Sequence, residues 1–210
     1  MKTLHIKLST GQKLWFTSDL HFGHRNVIRF CNRPFADVKE MDEALINNWN
    51  EVVGENDIVF VLGDTFWFND STTIKKYISK LKGIIYFIPG NHCNFEKYHR
   101  IADEPRIILC DDIVQVILES EDNRWHKNMF ELWLSHFPLM TWPHRYNGSI
   151  NFFGHIHSTP EGRDCEDQDL PLFYNQHDVG TDYWEYKPVQ FEKLLEKMNI
   201  VDIDYFYGRD

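Results

Sequence analysis

Residues 14–24 have the sequence LWFTSDLHFGH, in which a short apolar run leads into two side chains that commonly bind metals. The run Leu14–Thr17 is rich in bulky apolar residues and is followed by polar ones, which predicts a buried β-strand. Asp19 and His21 follow at once, so the strand would present a carboxylate and an imidazole just past its carboxyl end. The same arrangement recurs along the chain.

Four further apolar runs are each closed by a turn or polar residue and followed by a side chain that can bind a metal. The runs are Ile58–Leu62, Ile84–Ile88, Leu132–Leu134 and Ile150–Phe153. The segments that follow them are Gly63-Asp64, Pro89-Gly90-Asn91-His92, Ser135-His136 and Gly154-His155-Ile156-His157. In open α/β sheets, sites form outside the carboxyl ends of the strands, so we expect these segments to meet at one edge.

Amphipathic segments between and after the runs predict helices. Apolar residues recur at helical spacing within 41–52, 74–81 and 191–198. Asp37 with Glu40 resembles a capping box before the first of these segments. Strands that alternate with helices predict an α/β fold built from packed layers.

The length of 210 residues suits one domain with a sizeable core. Because the chain has no internal repeat and no long linker, we expect a single domain over residues 1–210. The acidic stretch Glu161–Asp169 is predicted to be a surface loop. The tail 199–210 is compatible with a packed strand and with a loose segment.

The charge of the chain limits its partners. With 22 Lys and Arg against 32 Asp and Glu, the formal net charge is −10. This charge argues against sequence-independent binding of long DNA or RNA, which needs a basic surface. A small phosphate-bearing substrate stays compatible, because bound divalent cations reverse the local field at a site.

The four cysteines are scattered along the chain without a CxxC pair: Cys31, Cys93, Cys110 and Cys165. This spacing resembles neither a zinc knuckle nor a disulfide framework and favours a reducing compartment. Segment 1–15 has no apolar signal core, and no apolar run approaches the ~20 residues that span a membrane. We therefore expect a cytoplasmic protein without a membrane segment.

Eight side chains at the predicted strand ends have the chemistry of metal ligands. They are Asp19, His21, Asp64, Asn91, His92, His136, His155 and His157. Carboxylate, carboxamide and imidazole together suit divalent Mn, Fe, Co, Ni or Zn. Since one catalytic metal usually takes about three protein ligands, eight favour a pair of ions about 3.5–4 Å apart. Such a pair clamps the attacking and leaving oxygens in phosphoryl transfer.

Each segment alone also fits a simpler interpretation. Asp-x-His and Gly-Asp after a strand are common in turns, and an isolated histidine such as His136 commonly lies in a core or a loop. Gly154-His155-Ile156-His157 is more specific. Five such segments, in this order and each at a strand end, favour a metal site over coincidence.

Together these segments resemble the calcineurin-like metallophosphoesterase superfamily, and residues 18–24, SDLHFGH, are similar to its small single-domain members. The resemblance extends from Leu14 to Val189 and covers most of the chain. It implies a four-layer α/β/β/α sandwich with a dinuclear metal site at the carboxyl ends of the strands. It also implies that a hydroxide held between two metal ions attacks the phosphorus of a phosphate ester.

The resemblance further implies a role for each side chain. His92 would be the general acid, or at least would stabilise the leaving oxygen, and Asp64 would bridge the two ions. The other six ligands divide between the ions, the first held by Asp19, His21 and His157 and the second by Asn91, His136 and His155.

Two departures from the family pattern concern neighbours of these residues. Many members have an acidic residue directly after the counterpart of His92, where a carboxylate can orient the imidazole and raise its basicity. Here that residue is Cys93. Many members also have a second Asp shortly after the Gly-Asp pair, whereas Thr65-Phe66-Trp67 follows Asp64. The ligand set is intact, but the altered surroundings of His92 bear on rate and leaving-group preference.

Substrate contacts are predicted in two segments. His24, Arg25 and Asn26 follow the first ligand pair, and Arg145 lies in an aromatic segment between two ligand segments. Arg suits bidentate contact with phosphate, and an aromatic ring can stack on a base; the alternative for each is an exposed loop with ordinary charges. Three residues near the C-terminus are assigned to chain structure rather than to the site: Asp178, Gly180 and Asp182.

The leading prediction is a metal-dependent phosphoesterase that hydrolyses a small, nucleotide-like phosphate mono- or diester. A nuclease, or a phosphatase that processes nucleic-acid ends, is the alternative, and the acidity of the chain disfavours it. A non-catalytic scaffold for protein contacts is the third interpretation. Such a scaffold would be expected to have lost ligands or the counterpart of His92, and all are present in this sequence.

Overall fold

The computed structural model describes residues 3–68, 70–93, 99–125, 129–160 and 172–200. Within these ranges it contains ten strands and four α-helices. The strands are β1 (Thr3–Leu8), β2 (Leu14–Thr17), β3 (Ile58–Leu62), β4 (Ile84–Ile88), β5 (Ile107–Leu109), β6 (Ile113–Ser120), β7 (Phe130–Ser135), β8 (Ile150–Phe153), β9 (Gln176–Asp178) and β10 (Val189–Gln190). The helices are α1 (Arg25–Phe30), α2 (Val38–Val52), α3 (Ser71–Ile78) and α4 (Phe191–Lys197), with a 3₁₀ turn at Arg145–Asn147.

The strands form two five-stranded sheets. One sheet has the order β10-β2-β3-β4-β5, and its strands β2 to β5 are parallel. The other has the order β1-β6-β7-β8-β9 and is parallel except between β6 and β7. Helices flank the sheets, so the predicted α/β fold of packed sheets and helices is confirmed.

Side chains alternate between two buried clusters along β2 and β3. Phe16 and Phe60 belong to the cluster between the sheets, where the ring of Phe16 lies 4.8 Å from that of Phe152 on β8. Trp15 and Val59 point to the other face and pack with residues of α2 and α3. Each buried aromatic ring contributes about 1.5–3 kcal/mol, and this packing on both faces holds the carboxyl ends of the strands in fixed positions.

Most predicted elements are present. Strands β2, β3, β4 and β8 have the predicted bounds, and β7 begins at Phe130 rather than at Leu132. Helix α2 begins after Asp37, whose carboxylate accepts hydrogen bonds from the backbone N–H groups of Lys39 and Glu40. Helix α3 ends at Ile78, earlier than predicted.

The stretch Glu161–Asp169 and the tail beyond residue 200 lie outside the described residues, so the predictions for them, and for one domain over 1–210, stay predictions. In the part of the chain that the structure describes, no helix is long and apolar enough to cross a membrane.

Candidate metal centre

The ligand-bearing strand ends of the two sheets meet at one edge of the fold. Asp19 and Asp64 follow β2 and β3 of one sheet, and His136 and His155 follow β7 and β8 of the other. Nε2 of His136 lies 3.4 Å from Oδ2 of Asp64. The backbone N–H of His155 donates to Oδ2 of Asp19 at 2.9 Å. Both contacts join one sheet to the other, so side chains far apart in the chain share one site.

The first group of ligand atoms at this edge comes from Asp19, His21 and His157, which are all buried and approach one another within 4.8 Å. Oδ1 of Asp19 lies 4.0 Å from Nε2 of His21 and 3.8 Å from Nε2 of His157. These separations exceed a hydrogen bond, and they leave space between the three atoms.

Two atoms of this group fit a bound cation. Oδ1 of Asp19 and Nε2 of His21 are buried and have no hydrogen-bond partner. Buried polar atoms without partners are rare in proteins and call for an explanation. An oxygen and an imidazole nitrogen that face each other are the donor types that divalent transition metals bind, so the residues present fit a metal.

The second group comes from Asp19, Asp64 and His136, again within 4.8 Å of one another. Oδ1 of Asn91 lies 2.7 Å from Nε2 of His136 and belongs to the same cluster. The ring of His155 lies 5.2 Å from that of His136. Asp19 is common to both groups, and the two groups adjoin.

The tautomer of His136 follows from its surroundings. Its Nδ1 lies 2.8 Å from the backbone oxygen of Leu62, which can only accept, so Nδ1 carries the proton and donates. Nε2 is therefore the nitrogen that faces Asp64 and Asn91, and it can bind a metal once it gives up its own proton.

The backbone of five ligand residues is in the left-handed region, which is costly for residues other than Gly. The φ angles are 57° at Asp19, 53° at His21, 43° at Asp64, 72° at His155 and 47° at His157. Such conformations cost about 1–3 kcal/mol each and cluster at functional sites.

Two glycines in the ligand segments permit close approach of the strand ends. A Cβ at Gly154 would overlap the carboxylate of Asp19 and the hydroxyl of Ser18. A Cβ at Gly90 would overlap the carboxylate of Asp64. Both positions need Gly because the two carboxylates occupy that space.

The buried ion pair of Arg33 with Asp182 contacts the first ligand group, and the sequence analysis did not predict it. Nδ1 of His157 donates to Oδ2 of Asp182 at 2.8 Å, so Nε2 faces Asp19. Arg33 donates to both oxygens of Asp182 at 2.8 Å, to the backbone oxygen of Asp19 at 2.6 Å and to that of Leu20 at 3.0 Å. Asp182, assigned above to chain structure, therefore touches a ligand directly. Arg33 gave no motif signal.

Hydrogen bonds of neighbouring residues position the segment that carries Asp182. Thr181 donates its backbone N–H to the oxygen of Ser18 at 3.0 Å, which sets the segment before Asp182 beside the end of β2. The buried carboxylate of Asp178 accepts hydrogen bonds from the backbone N–H groups of Ser158 and Gly180. Burial raises the pKa of Asp178 to about 7.

The electrostatics of the cluster attract positive charge. Burial opposes ionisation of His136, but hydrogen bonding to Asp64 and the charge of Asp19 raise its pKa to about 9. Burial is likewise outweighed at His157, where Asp19 and Asp182 raise the pKa well above its usual value. At His21, burial and the cationic His157 hold the pKa well below its usual value. These carboxylates stabilise the protonated, positively charged imidazoles. They would likewise stabilise a metal cation that replaces those protons.

His92 lies above the cluster rather than within it. Its backbone N–H donates to Oδ1 of Asp64 at 3.0 Å, and its side chain is 42% exposed, with Nε2 4.0 Å from Oδ2 of Asp64. The thiol of Cys93 accepts a hydrogen bond from the backbone N–H of Gly90 at 3.1 Å. The ring of His92 instead lies 4.9 Å from that of Trp67, a residue that the ligand motifs did not single out.

Of the predicted substrate-binding residues, the structure brings His24 to the cluster. Its ring stacks on Trp67 with centroids 3.7 Å apart and planes 4° from parallel, and its Nδ1 lies 3.3 Å from Nδ1 of His21. Arg25 and Asn26 are exposed in the first turn of α1.

Arg145 makes its contacts within its own region of the surface. Its guanidinium donates to the backbone oxygen of Met140 at 3.1 Å and to the hydroxyl of Tyr146. It also lies 3.8 Å from the ring centroid of Phe173. These contacts engage Nη1 and Nη2, whereas the buried Nε has no hydrogen-bond partner.

Comparison with known proteins finds relatives that match most of the chain. The profile of the calcineurin-like phosphoesterases matches residues 12–205. An uncharacterized protein of Methanocaldococcus jannaschii is 31% identical over 195 residues, covering 90% of this chain and 95% of that protein. The gene 66 protein of Mycobacterium phage L5 is 29% identical over 196 residues, covering 81% and 86%.

A protein of unknown function from Aquifex aeolicus has a solved structure with a similar fold. The TM-score is 0.62 at 23% identity, with 90% of this chain and 100% of that one covered. The profile match over nearly the whole chain and the converging ligand segments lead to one conclusion: the chain belongs to the calcineurin-like phosphoesterase family.

Proposed function

We propose that the protein hydrolyses a small phosphate mono- or diester with the help of two divalent ions, drawn from Mn, Fe, Co, Ni and Zn. The observation that carries the proposal is the pair of adjoining, buried ligand groups that share Asp19. Oδ1 of Asp19 and Nε2 of His21, which have no partner, face the space that an ion would fill. These two adjoining groups favour two ions; in a third group of possible ligands, Cys31, His157 and Asp182, the carboxylate of Asp182 is paired with Arg33.

In this proposal each ligand is assigned to the first or the second ion according to which of its atoms is free to bind it. Oδ2 of Asp19 is taken by the backbone N–H of His155, so its free Oδ1 serves the first ion. The bridge is assigned to Asp64 as the family resemblance implies; its Oδ2 lies 3.4 Å from Nε2 of His136, and it shares the second group with Asp19. The first ion is held by Asp19, His21 and His157 and the second by Asn91, His136 and His155.

When bound, a pair of such ions polarises the phosphate ester and makes water a nucleophile near neutral pH. In this proposal His92 donates a proton to the leaving oxygen; its exposed ring, 4.0 Å from Asp64 and outside both ligand groups, supports this role. Asp182 keeps the proton on Nδ1 of His157, and Leu62 does so for His136.

A small, nucleotide-like substrate suits the surroundings of the centre. Trp67 is 41% exposed beside His92 and offers a ring on which a base could stack. Arg25, Asn26 and Arg145 remain candidates for substrate contact, and Nη1 of Arg145 already donates to the backbone oxygen of Met140. The net charge of −10 disfavours long nucleic acid.

The test is a metal-by-substrate matrix. Metal-stripped protein is reloaded with Mn, Ni, Co, Zn or Mg and assayed on phosphomonoesters, cyclic nucleotides, phosphodiesters and DNA or RNA oligonucleotides. Asp64→Asn should abolish turnover, whereas Asp103→Asn, at an exposed carboxylate that pairs with Lys75, should not change it.

Turnover of the small esters alone supports the proposal. Preferred cleavage of oligonucleotides would favour the nuclease alternative instead. Protein that loads with metal and cleaves none of the substrates would favour the scaffold and overturn the proposal.

A further inference from the structure

A cavity of about 340 Å³ adjoins the metal centre on the side of Asn91 and His136. Its other walls include Ile113 at the start of β6 and Phe137 and Leu139 after β7. Ile113 pairs with Ser135 across the antiparallel β6–β7 ladder, which fixes the two walls relative to each other. The volume lies at the lower end of the ~300–1,000 Å³ that is usual for small-molecule sites.

The cavity offers apolar surface and few groups that could bind a second anion. Among its described lining residues there is no Lys or Arg; Asp112 is a carboxylate, and His136 and Asn91 belong to the metal centre. The hydroxyl of Ser135 already donates to the backbone oxygen of Phe137 at 2.7 Å. Anion recognition in proteins relies on Arg, Lys or free N–H and O–H donors, so this lining disfavours a phosphate or carboxylate.

Phe137 connects the cavity to the metal centre. Its ring centroid lies 4.3 Å from that of His155 and 5.2 Å from that of His136, while 49% of the residue stays exposed. A phosphate held by these imidazoles through bound metal would therefore place one of its ester substituents against this ring.

We propose that this cavity binds the organic group of the phosphate ester and selects an uncharged, ring-bearing group over one that carries a second anion. The inference rests on the proposed function, because it takes the neighbouring metal centre as the site of the scissile phosphate. It narrows the proposed substrate class to esters of uncharged, ring-bearing alcohols, including nucleosides, and excludes substrates with a second anionic group near the first.

Binding of three phosphonates tests this selectivity without requiring turnover. Metal-loaded protein is titrated in a calorimeter with methylphosphonate, benzylphosphonate and 3-phosphonopropionate, which share the phosphonate and differ in the attached group. Benzylphosphonate should bind at least tenfold more tightly than methylphosphonate, because its ring is buried against Phe137 and Ile113. 3-Phosphonopropionate should bind no more tightly than methylphosphonate.

Variants on the two walls test whether the tighter binding of benzylphosphonate depends on the cavity. Phe137→Ala and Ile113→Ala lie on different elements, so a folding defect in one leaves the other as a test. Each should reduce the preference for benzylphosphonate to threefold or less and leave the affinity for methylphosphonate within twofold. Met140→Ala removes an 88% exposed apolar side chain outside the described lining and should change neither affinity.

The outcomes separate the two proposals. If methylphosphonate binds but benzylphosphonate gains nothing, or if its gain survives both wall substitutions, the cavity proposal is overturned and the phosphoesterase proposal stands. Binding of 3-phosphonopropionate as tightly as benzylphosphonate also overturns the selectivity. If none of the three binds to metal-loaded protein, the phosphate site itself is refuted, and the cavity proposal with it.

Discussion

The carboxylate of Asp182 accepts a hydrogen bond from Nδ1 of His157 at 2.8 Å, although 25 residues separate the two in the chain. The same carboxylate is paired with Arg33, 149 residues away, and all three side chains are buried. The contact determines which nitrogen of His157 faces the metal centre. Asp182 is thus a positioning residue for a proposed ligand.

Asp182→Asn is expected to weaken the first ion site. The amide lacks the charge that balances Arg33, and removal of one partner from a buried ion pair typically costs about 3–5 kcal/mol. Loss of a partner behind a ligand histidine typically lowers metal affinity by about 10–100-fold. Urea unfolding of the metal-free protein measures the first effect, and metal titration of the folded variant measures the second.

Asp103→Asn serves as the control for this variant, because its ion pair with Lys75 is on the surface and should matter little. Arg33→Lys keeps the charge but loses the planar fork that reaches Asp182 and the backbone oxygen of Asp19. It should lower metal affinity with less loss of stability. Unchanged metal affinity in both Asp182→Asn and Arg33→Lys would show that the pair has no positioning role.

The strands that carry the ligands could be predicted because their signal is local. Leu14–Thr17 and Ile58–Leu62 are short apolar runs closed by turn or polar residues, and the buried strands β2 and β3 have these bounds. Strand β9 could not be found in this way, since its residues, Gln176–Asp178, are polar. Strand β6 has an alternating pattern, with Val114 and Val116 buried, that the search for ligand-bearing runs passed over.

The same distinction applies to the site. Asp-x-His and His-x-His are recognisable because both members lie next to one strand end. The partnership of Arg33 with Asp182 leaves no local pattern, since it forms only when the segment after α1 and the segment after β9 meet beside Asp19. The stacking of His24 on Trp67 is likewise a tertiary contact between two loops, so sequence could suggest His24 but not its partner.

The stability of the metal-free protein should fall as the pH rises from 6.5 to 9. The pKa of His136 rises from its usual 6.5 to about 9 on folding, so the stability it contributes is fully present below pH 6.5. That contribution is lost as the folded protein loses the proton. A shift of this size is worth at most about 3 kcal/mol. His157 is shifted in the same direction and should add to the loss.

Urea unfolding between pH 5.5 and 9.5, with and without Mn, checks this dependence. A bound ion replaces the proton on the imidazole, so the metal-loaded protein should not show the decline, and its metal affinity should increase with pH. His136→Gln should flatten the profile of the metal-free protein. An equal decline in this variant would assign the dependence to other groups.

Asp64→Ala is expected to be more damaging than His21→Ala. In the proposed arrangement Asp64 serves both ions, and without it two cations would face each other uncompensated. His21 serves only the first ion. Metal analysis after Mn loading should give close to two ions per chain in the parent protein, about one in His21→Ala and fewer in Asp64→Ala. Similar metal content and activity in both variants would assign the bridge to another residue, with Asp19 the next candidate.

His92→Ala should slow turnover while leaving both ions bound, because His92 belongs to neither ligand group among the described residues. A general acid contributes about 10²–10⁴-fold, and its help matters most when the departing alkoxide is basic. A nitrophenolate leaves readily without a proton, so nitrophenyl phosphate should be cleaved nearly as fast as by the parent. A nucleoside or alkyl ester should be slowed strongly. His5→Ala, at an exposed histidine on β1, is the matched control and should change neither rate.

A substitution of Cys93, the neighbour of His92, tests the same prediction in a second way. The residue after His92 is Cys93, whose thiol accepts from the backbone N–H of Gly90; it therefore provides no carboxylate to orient the imidazole. Cys93→Asp should therefore speed cleavage of the alkyl ester and hardly change that of nitrophenyl phosphate. Equal slowing of both esters by His92→Ala would make His92 a structural residue, and loss of an ion in that variant would make it a ligand. A difference confined to the poor leaving group, with full metal content, is the result that a proton donor predicts.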